Sequence, residues 1–152
     1  MNYILRDENA VFFECGFSCD NAVFLKLGSE AFFITDARYT TEARECIHNA
    51  CVLEGDRRDL LKTARLLIRK SGIKTLDYNP SEWSVDAYAR LSDTLRIAFH
   101  KKPNFSQQKR IIKSEAELEI LKKAALFGKD AFHRFGEFLK HDGLSMDEKM
   151  AH

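Results

Sequence analysis

The chain has 152 residues, 45% of them hydrophobic and 31% charged, with a formal net charge of +1. That length supports one domain with a real core and an appendage, and the charge balance excludes a dedicated nucleic-acid binder, which would carry a strongly basic face. No run reaches the ~18 apolar residues of a membrane span, and "MNYILRDENA" lacks the basic region and apolar core of a secretory leader, so neither membrane nor nucleic acid is expected as a partner and a cytoplasmic location is the default.

In chain order, "NYIL" (2–5), "AVFF" (10–13), "NAVFLKL" (21–27) and "AFFIT" (31–35) read as strands, with Gly16 breaking the second and Gly28-Ser29 turning the last two into an antiparallel hairpin. "TTEARECIHNA" then takes a helical period, with Ala43, Cys46 and Ile47 on one side. "CVLEG" (51–55) reads as a strand. Residues 56–72 form the clearest helix of the first hundred residues. Asp56 stands where a cap belongs, Leu60, Ala64, Leu67 and Ile68 make the apolar stripe, and Gly72 sits at the left-handed terminator. "IKTLDY" (73–78) is a strand, Asn79-Pro80-Ser81-Glu82 opens another helix, and "LRIAFHK" (95–101) is the last strand. This alternation predicts an α/β fold: a mixed sheet of about six strands flanked by helices, followed by a long helix.

"HKKPNFSQQKR" (100–110) contains Pro103 and reads as a solvated linker. Ser114-Glu115-Ala116-Glu117 is a capping box, and the helix it starts runs to about residue 141 with two apolar rows. Leu118, Leu121, Ala125, Phe132, Phe135 and Leu139 form one; Ile120, Ala124, Phe127, Ala131 and Phe138 form the other. Gly143 ends it, and Ser145 with Glu148 starts a further helix; the chain is expected to be part of a longer protein.

Little in the chain points to an active site. Cys15 and Cys19, and Cys46 and Cys51, lack the CxxC spacing of a zinc knuckle and read as ordinary reduced thiols. His133 and His141 lie too far apart on one helix to share an ion, and Glu115, Glu117 and Glu119 fan around the helix axis. No HExxH, phosphate loop or nucleophile elbow is present. The best candidates lie at one strand end: Asp36, Arg38 and Tyr39. Asp36 reads as the cap of the helix in the 40s. Arg38, whose fork can grip a carboxylate, and Tyr39 either pack locally or touch something outside the strand. Phe17 and Trp83 are candidate cleft or interface aromatics; first-turn packing against the sheet is the plainer reading of Trp83.

Three stretches carry a family resemblance. "FFITDARYTTEA" (32–43) resembles the strand-to-helix element of the N-terminal domain of the creatinase, prolidase and aminopeptidase P family, in which an apolar strand runs into Thr-Asp-x-Arg-Tyr. "FFECGF" (12–17) is similar to its Tyr-Leu-Thr-Gly-Phe element, matching at Gly16-Phe17 and departing at Glu14-Cys15. "RIIKSEAELEILKKAA" (110–125) is similar to the signature that joins the N-terminal and catalytic domains. The resemblance implies a ribonuclease-H-like N-terminal domain over 1–109, then a linker and the first helices of an incomplete catalytic domain over 110–152. It implies a parent that hydrolyses the bond before proline, as an Xaa-Pro aminopeptidase or dipeptidase, with a metal-activated hydroxide. The pair of divalent ions (manganese, cobalt or zinc) would be held by Asp, Asp, His, Glu and Glu beyond residue 152, leaving this chain without catalytic or metal-binding residues and inactive by itself. Its partners would be its own catalytic domain, a second copy in a homodimer and a proline-containing peptide. The N-terminal domain would help form the dimer and cover the active site, with Arg38, Tyr39, Asp36 and Phe17 as substrate or interface contacts. Arg38→Ala is then expected to lower activity or weaken the dimer without large loss of stability. The alternative is a creatinase-like protein or a non-peptidase binding module on the same fold.

Overall fold

Six short runs pair into one sheet: β1 (Tyr3–Leu5), β2 (Ala22–Leu27), β3 (Glu30–Thr35), β4 (Cys51–Glu54), β5 (Thr75–Tyr78) and β6 (Ala98–Lys101). The computed structural model describes residues 1–141, so the helix expected from Ser145 lies outside the described residues. The strand order is β4-β3-β2-β1-β5-β6. β2 runs antiparallel to both its neighbours, while β3–β4, β1–β5 and β5–β6 are parallel. The β2–β3 hairpin turns at Gly28, whose φ of 61° suits a residue without a Cβ. The parallel pairs need crossovers, and helices supply them.

Side chains alternate across the sheet and so divide the core in two. Ile4, Val23, Leu25 and Ile34 face α3 (Leu60–Ser71) and α4 (Val85–Ser92), meeting Leu60, Leu61, Ala64 and Ile68 of α3 and Ala87 and Leu91 of α4. Tyr3, Leu5, Phe24 and Phe33 face the other way, towards α1 (Glu8–Cys15), α2 (Thr40–Cys46) and α5 (Phe105–Ile111). Each fully buried Leu, Ile or Phe contributes about 1.5–3 kcal/mol, so the central strands, with apolar side chains on both faces, hold most of the stability. The outer strands β4 and β6 are four residues each and carry exposed positions such as Cys51 and Glu54, or His100 and Lys101.

Four local readings are corrected. "AVFF" lies inside α1, not in a strand: the Asp7 side chain accepts from Ala10 N at 2.9 Å, and Gly16 closes the helix at φ 75°. The 100–110 stretch is not a solvated linker. It contains β6 residues and α5, where Ser106 is buried and Phe105 packs edge-on against Tyr3. Asp56 does not cap the next helix. Its side chain accepts from Arg58 N at 2.9 Å, and α3 begins after Asp59. Asn79-Pro80-Ser81-Glu82 makes only a single 3-10 turn, and Ser84 starts α4 by accepting from Ala87 N.

Tyr3 shows how α1 and α5 are tied to the sheet. Its hydroxyl donates to Glu14 Oε2 at 2.7 Å, and Lys109 Nζ donates to Glu14 Oε1 at 2.6 Å and to Tyr3 Oη at 3.3 Å. Burial first, then the bond to Glu14, push the Tyr3 phenol well above its ordinary range, so it stays a donor.

The chain divides into two units, Met1–Ile111 and a second that begins at Ile112. Described by itself, the second unit is α6 (Glu115–His141). It opens on the expected capping box: Glu117 N–H donates to Ser114 Oγ at 3.3 Å, and Ser114 N–H returns the bond to Glu117 Oε2 at 2.8 Å. Both predicted apolar rows are present, and Phe127 and Phe132 are exposed. No helix among the described residues is long and apolar enough to cross a membrane.

At Gly55 the chain leaving β4 packs closely against α3 and β3. A Cβ there would stand 3.0 Å from Leu60 Cδ2, 3.2 Å from Ile34 Cγ2 and 3.3 Å from Thr63 Oγ1. Gly55→Ala is therefore expected to destabilise the chain by about 1–3 kcal/mol through overpacking, read as a lower urea midpoint. An unchanged midpoint would show that these three side chains yield freely.

Candidate functional site

All five parallel-running strands end at one edge of the sheet, and β2 starts there. The sequence candidates Asp36, Arg38 and Tyr39 lie on this edge, just beyond β3. Asp36 is only 1% exposed, and a buried carboxylate needs donors on both oxygens. It has them. Oδ1 accepts from the Arg38 backbone N–H and from Arg38 Nε, both at 3.0 Å. Oδ2 accepts from the Arg38 terminal nitrogen at 2.9 Å and from Asn21 Nδ2 at 2.7 Å. The Arg38 side-chain bonds, opposed by burial and helped by Asn21, hold the Asp36 carboxyl well below the usual carboxylate range. Asp36 in turn raises Arg38 further above its already high value.

The expectation that Asp36 caps the helix in the 40s is thereby corrected. Residue 39 holds the cap position of α2 and makes no side-chain cap bond. Asp36 contributes only its carbonyl, which accepts from Tyr39 N–H at 3.1 Å and Thr40 Oγ1 at 2.9 Å. Its carboxylate is committed to the Arg38 fork, because two aligned charge-assisted bonds outweigh one helix-end amide.

The rest of the cluster ties the start of β2 to the end of β3. Thr35 Oγ1 donates to Asn21 O at 2.9 Å, and Cys19 Sγ lies 3.3 Å from Thr35 Oγ1. Asn21 Nδ2 also reaches Arg57 O at 3.2 Å, extending the network to the loop after β4. The outer side of Arg38 stays accessible: its terminal nitrogen meets exposed Asp20 at 3.4 Å, and its guanidinium lies 4.8 Å from the Tyr39 ring centre. A hydrogen bond to Asp20 and then burial raise the Tyr39 phenol. Phe17 is half-buried and packs edge-on against Phe33, with ring centres 5.7 Å apart. Trp83 is buried in the core facing α3 and α4, under the Arg6 guanidinium at 5.2 Å.

A second polar hub on the same edge escaped the sequence reading. Glu82 Oε2 accepts from the backbone N–H of Arg6 at 2.9 Å and of Asp7 at 3.2 Å; Oε1 accepts from Asn79 Nδ2 at 3.0 Å and Ser106 Oγ at 3.4 Å. It borders a cavity of about 460 Å³ that includes Asn79, Ser81 and Gln107. The Asn-Pro-Ser-Glu run was the available signal, and it is indistinguishable in sequence from a helix start; the burial of Asn79 belongs to the fold. The four cysteines are free thiols; burial raises Cys15 and Cys19. Among the described residues no three His, Cys, Asp or Glu side chains are grouped so as to hold a metal ion, so they do not fit the metal pair that the family resemblance implies.

No family model matches the chain. A curated relative, the uncharacterized peptidase YqhT of Bacillus subtilis, is 29% identical over 138 residues, covering 90% of this chain and 39% of that protein. An Xaa-Pro dipeptidase from Bacillus anthracis superposes with a TM-score of 0.83 at 22% identity, covering 90% of this chain and 38% of that one. The creatinase/prolidase N-terminal domain of an X-Pro dipeptidase from Streptococcus pyogenes gives a TM-score of 0.59 at 14% identity, over 73% of this chain and 86% of that one. This chain thus spans about two-fifths of the curated relative and of the full-length dipeptidase.

The Asp36–Arg38 pair has a pH signature. A carboxyl whose folded pKa is depressed stabilises the fold fully above its unfolded pKa, about 4, and loses that contribution as pH falls through the lower folded value. The stability difference between wild type and Asp36→Asn is therefore expected to be flat above about pH 5 and to shrink below about pH 4, measured by urea unfolding across pH. A difference that grows on acidification would mean the carboxylate is not the stabilised form.

Proposed function

We propose, from a chain that has the creatinase/prolidase N-terminal fold, that it serves as the non-catalytic N-terminal domain of an Xaa-Pro peptidase. The full-length protein would hydrolyse the bond before proline, as an aminopeptidase or a dipeptidase. The observation that carries the reading is that the likeness to an Xaa-Pro dipeptidase extends through 90% of the chain, past the sheet and into α6. The apolar rows of α6 support it as well, since a helix with so wide an apolar surface has no second layer in its own described unit and suits a following domain. Divalent metal ions would belong to that following domain, where they would activate water for attack on the scissile carbonyl. Free thiols, two of them exposed, suit a reducing cytoplasm.

In this reading the N-terminal unit helps form a homodimer and covers an active site, and the strand-end group of Arg38 and Tyr39 makes the contacts. The geometry alters what Arg38 can offer. Two of its nitrogens are held by Asp36, so it presents a fixed outer edge, backed by Tyr39, in place of a free fork. It also makes Arg38→Ala a poor probe, because the change strands the Asp36 carboxylate in the core. The expectation of little stability loss in that variant is replaced by a clear drop in melting temperature. Removing both charges, with Asp36→Asn and Arg38→Gln together, should recover part of it.

Two measurements test the function. The chain alone, with added manganese, is expected to show no turnover of an Xaa-Pro peptide; measurable hydrolysis would relocate the active site into residues 1–152. In a protein that includes the catalytic domain, Tyr39→Ala is expected to lower kcat/KM or dimer affinity several-fold while far-UV circular dichroism stays native. Wild-type values for both would return this strand end to the scaffold.

A further inference from the structure

Beside the Asp36 network, on the same edge of the sheet, lies a cleft of about 240 Å³ bordered by Arg6, Arg57, Arg58 and Arg90, and by Asn21 and Ser84. Among the described residues two acids border it, Asp59 and Asp86. Asp59 is shared with Arg65, which approaches its Oδ2 at 3.4 Å from outside the lining, while Arg90 stands 2.9 Å from Oδ1. The lining therefore keeps an excess of two positive charges. The side chains of Arg57 and Arg58 are exposed, and among the described residues their hydrogen bonds use backbone atoms: Arg57 O accepts from Asn21, Arg58 O accepts from Arg90 at 3.1 Å, and Arg58 N–H donates to Asp56. Arg6 faces Arg90 closely enough that partial burial and then the charge of Arg90 lower its pKa. Like charges gathered round a cavity are costly unless an anion joins them.

Two helix N-termini add to the same field. The start of α3 (Asp59, Leu60, Leu61) and the start of α4 (Ser84, Asp86, Ala87) both border the cleft. The α3 terminus has no side-chain cap, which leaves backbone N–H groups for a ligand. We infer that this cleft binds a phosphate dianion, gripped by the forks of Arg57 and Arg58, with Arg6 and Arg90 behind and the α3 N-terminus completing the cradle. The match is one of charge: two excess positive charges against an anion of about −1.5 to −2. The site stands apart from the proposed peptidase role, and its test does not depend on that role.

The test uses the whole chain with inorganic phosphate as the probe, at constant ionic strength set with chloride. Isothermal titration is expected to show saturable one-site binding, with a matching saturable rise in melting temperature. Arg57→Gln with Arg58→Gln, at two exposed positions, should weaken binding at least tenfold without lowering the unliganded melting temperature. Arg6→Gln alone should weaken it several-fold. A phosphate response of equal size in wild type and the double variant overturns the proposal, since excluded-solute stabilisation does not depend on these side chains. Saturable binding of acetate at equal or greater strength would also overturn it, by making the cleft a carboxylate site.

Discussion

Asp36 carries a full charge where almost no water reaches, and much of the exposed edge is organised around answering it. Its four acceptor positions are filled by three donors from Arg38 and one from Asn21. These bonds close the open end of the β2–β3 hairpin, opposite the Gly28 turn, and through Asn21 reach the loop after β4. Apolar burial stabilises the sheet in bulk, but it is non-directional. The carboxylate network supplies the direction: it sets where β2 starts, where β3 stops and how the chain leaves for α2.

The topology explains why polar groups crowd together here. With β2 alone running against the others, every crossover leaves the sheet at the same edge. The ends of β1, β3, β4 and β5 each release the chain into a turn whose amides need acceptors. Asp36 and Asp56 each supply one to an amide just after them in the chain, and Glu82 reaches from a distant part of the chain to the amide of Arg6. What remains once these bonds are made is mostly cationic, which is how an edge built for backbone satisfaction comes to hold an arginine-lined cleft.

Much of this could be read from residue order. The hairpin, the α3 stripe, the Gly72 terminator at φ 64° and the Ser114–Glu117 box follow from local rules and appear as expected. The order of elements, with motifs at 12–17, 32–43 and 110–125, was enough to reach the fold family. "AVFF" has two aromatic side chains and a strand-like composition, yet Asp7 and Gly16 bracket it as a helix, and the caps outweigh composition over eight residues. At Asp36 the reverse holds: burial and the Arg38 fork outweigh the local capping rule, and the bond from Asn21 comes from a residue that only the folded sheet brings beside it. The Glu82 hub joins Arg6, Asn79 and Ser106 from three parts of the chain, a convergence that no spacing rule encodes.

The two outermost strands carry a consequence for assembly. β4 and β6 are only four residues long, and each ends in a charged side chain at the crowded edge, Glu54 on one and Lys101 on the other. Such short, charged rims are poor templates for a foreign strand. Two copies brought together are thus discouraged from extending the sheet across the pair, and self-recognition is left to helical faces and loops. An association of that kind can be broken and re-formed without disturbing a single ladder bond of the core.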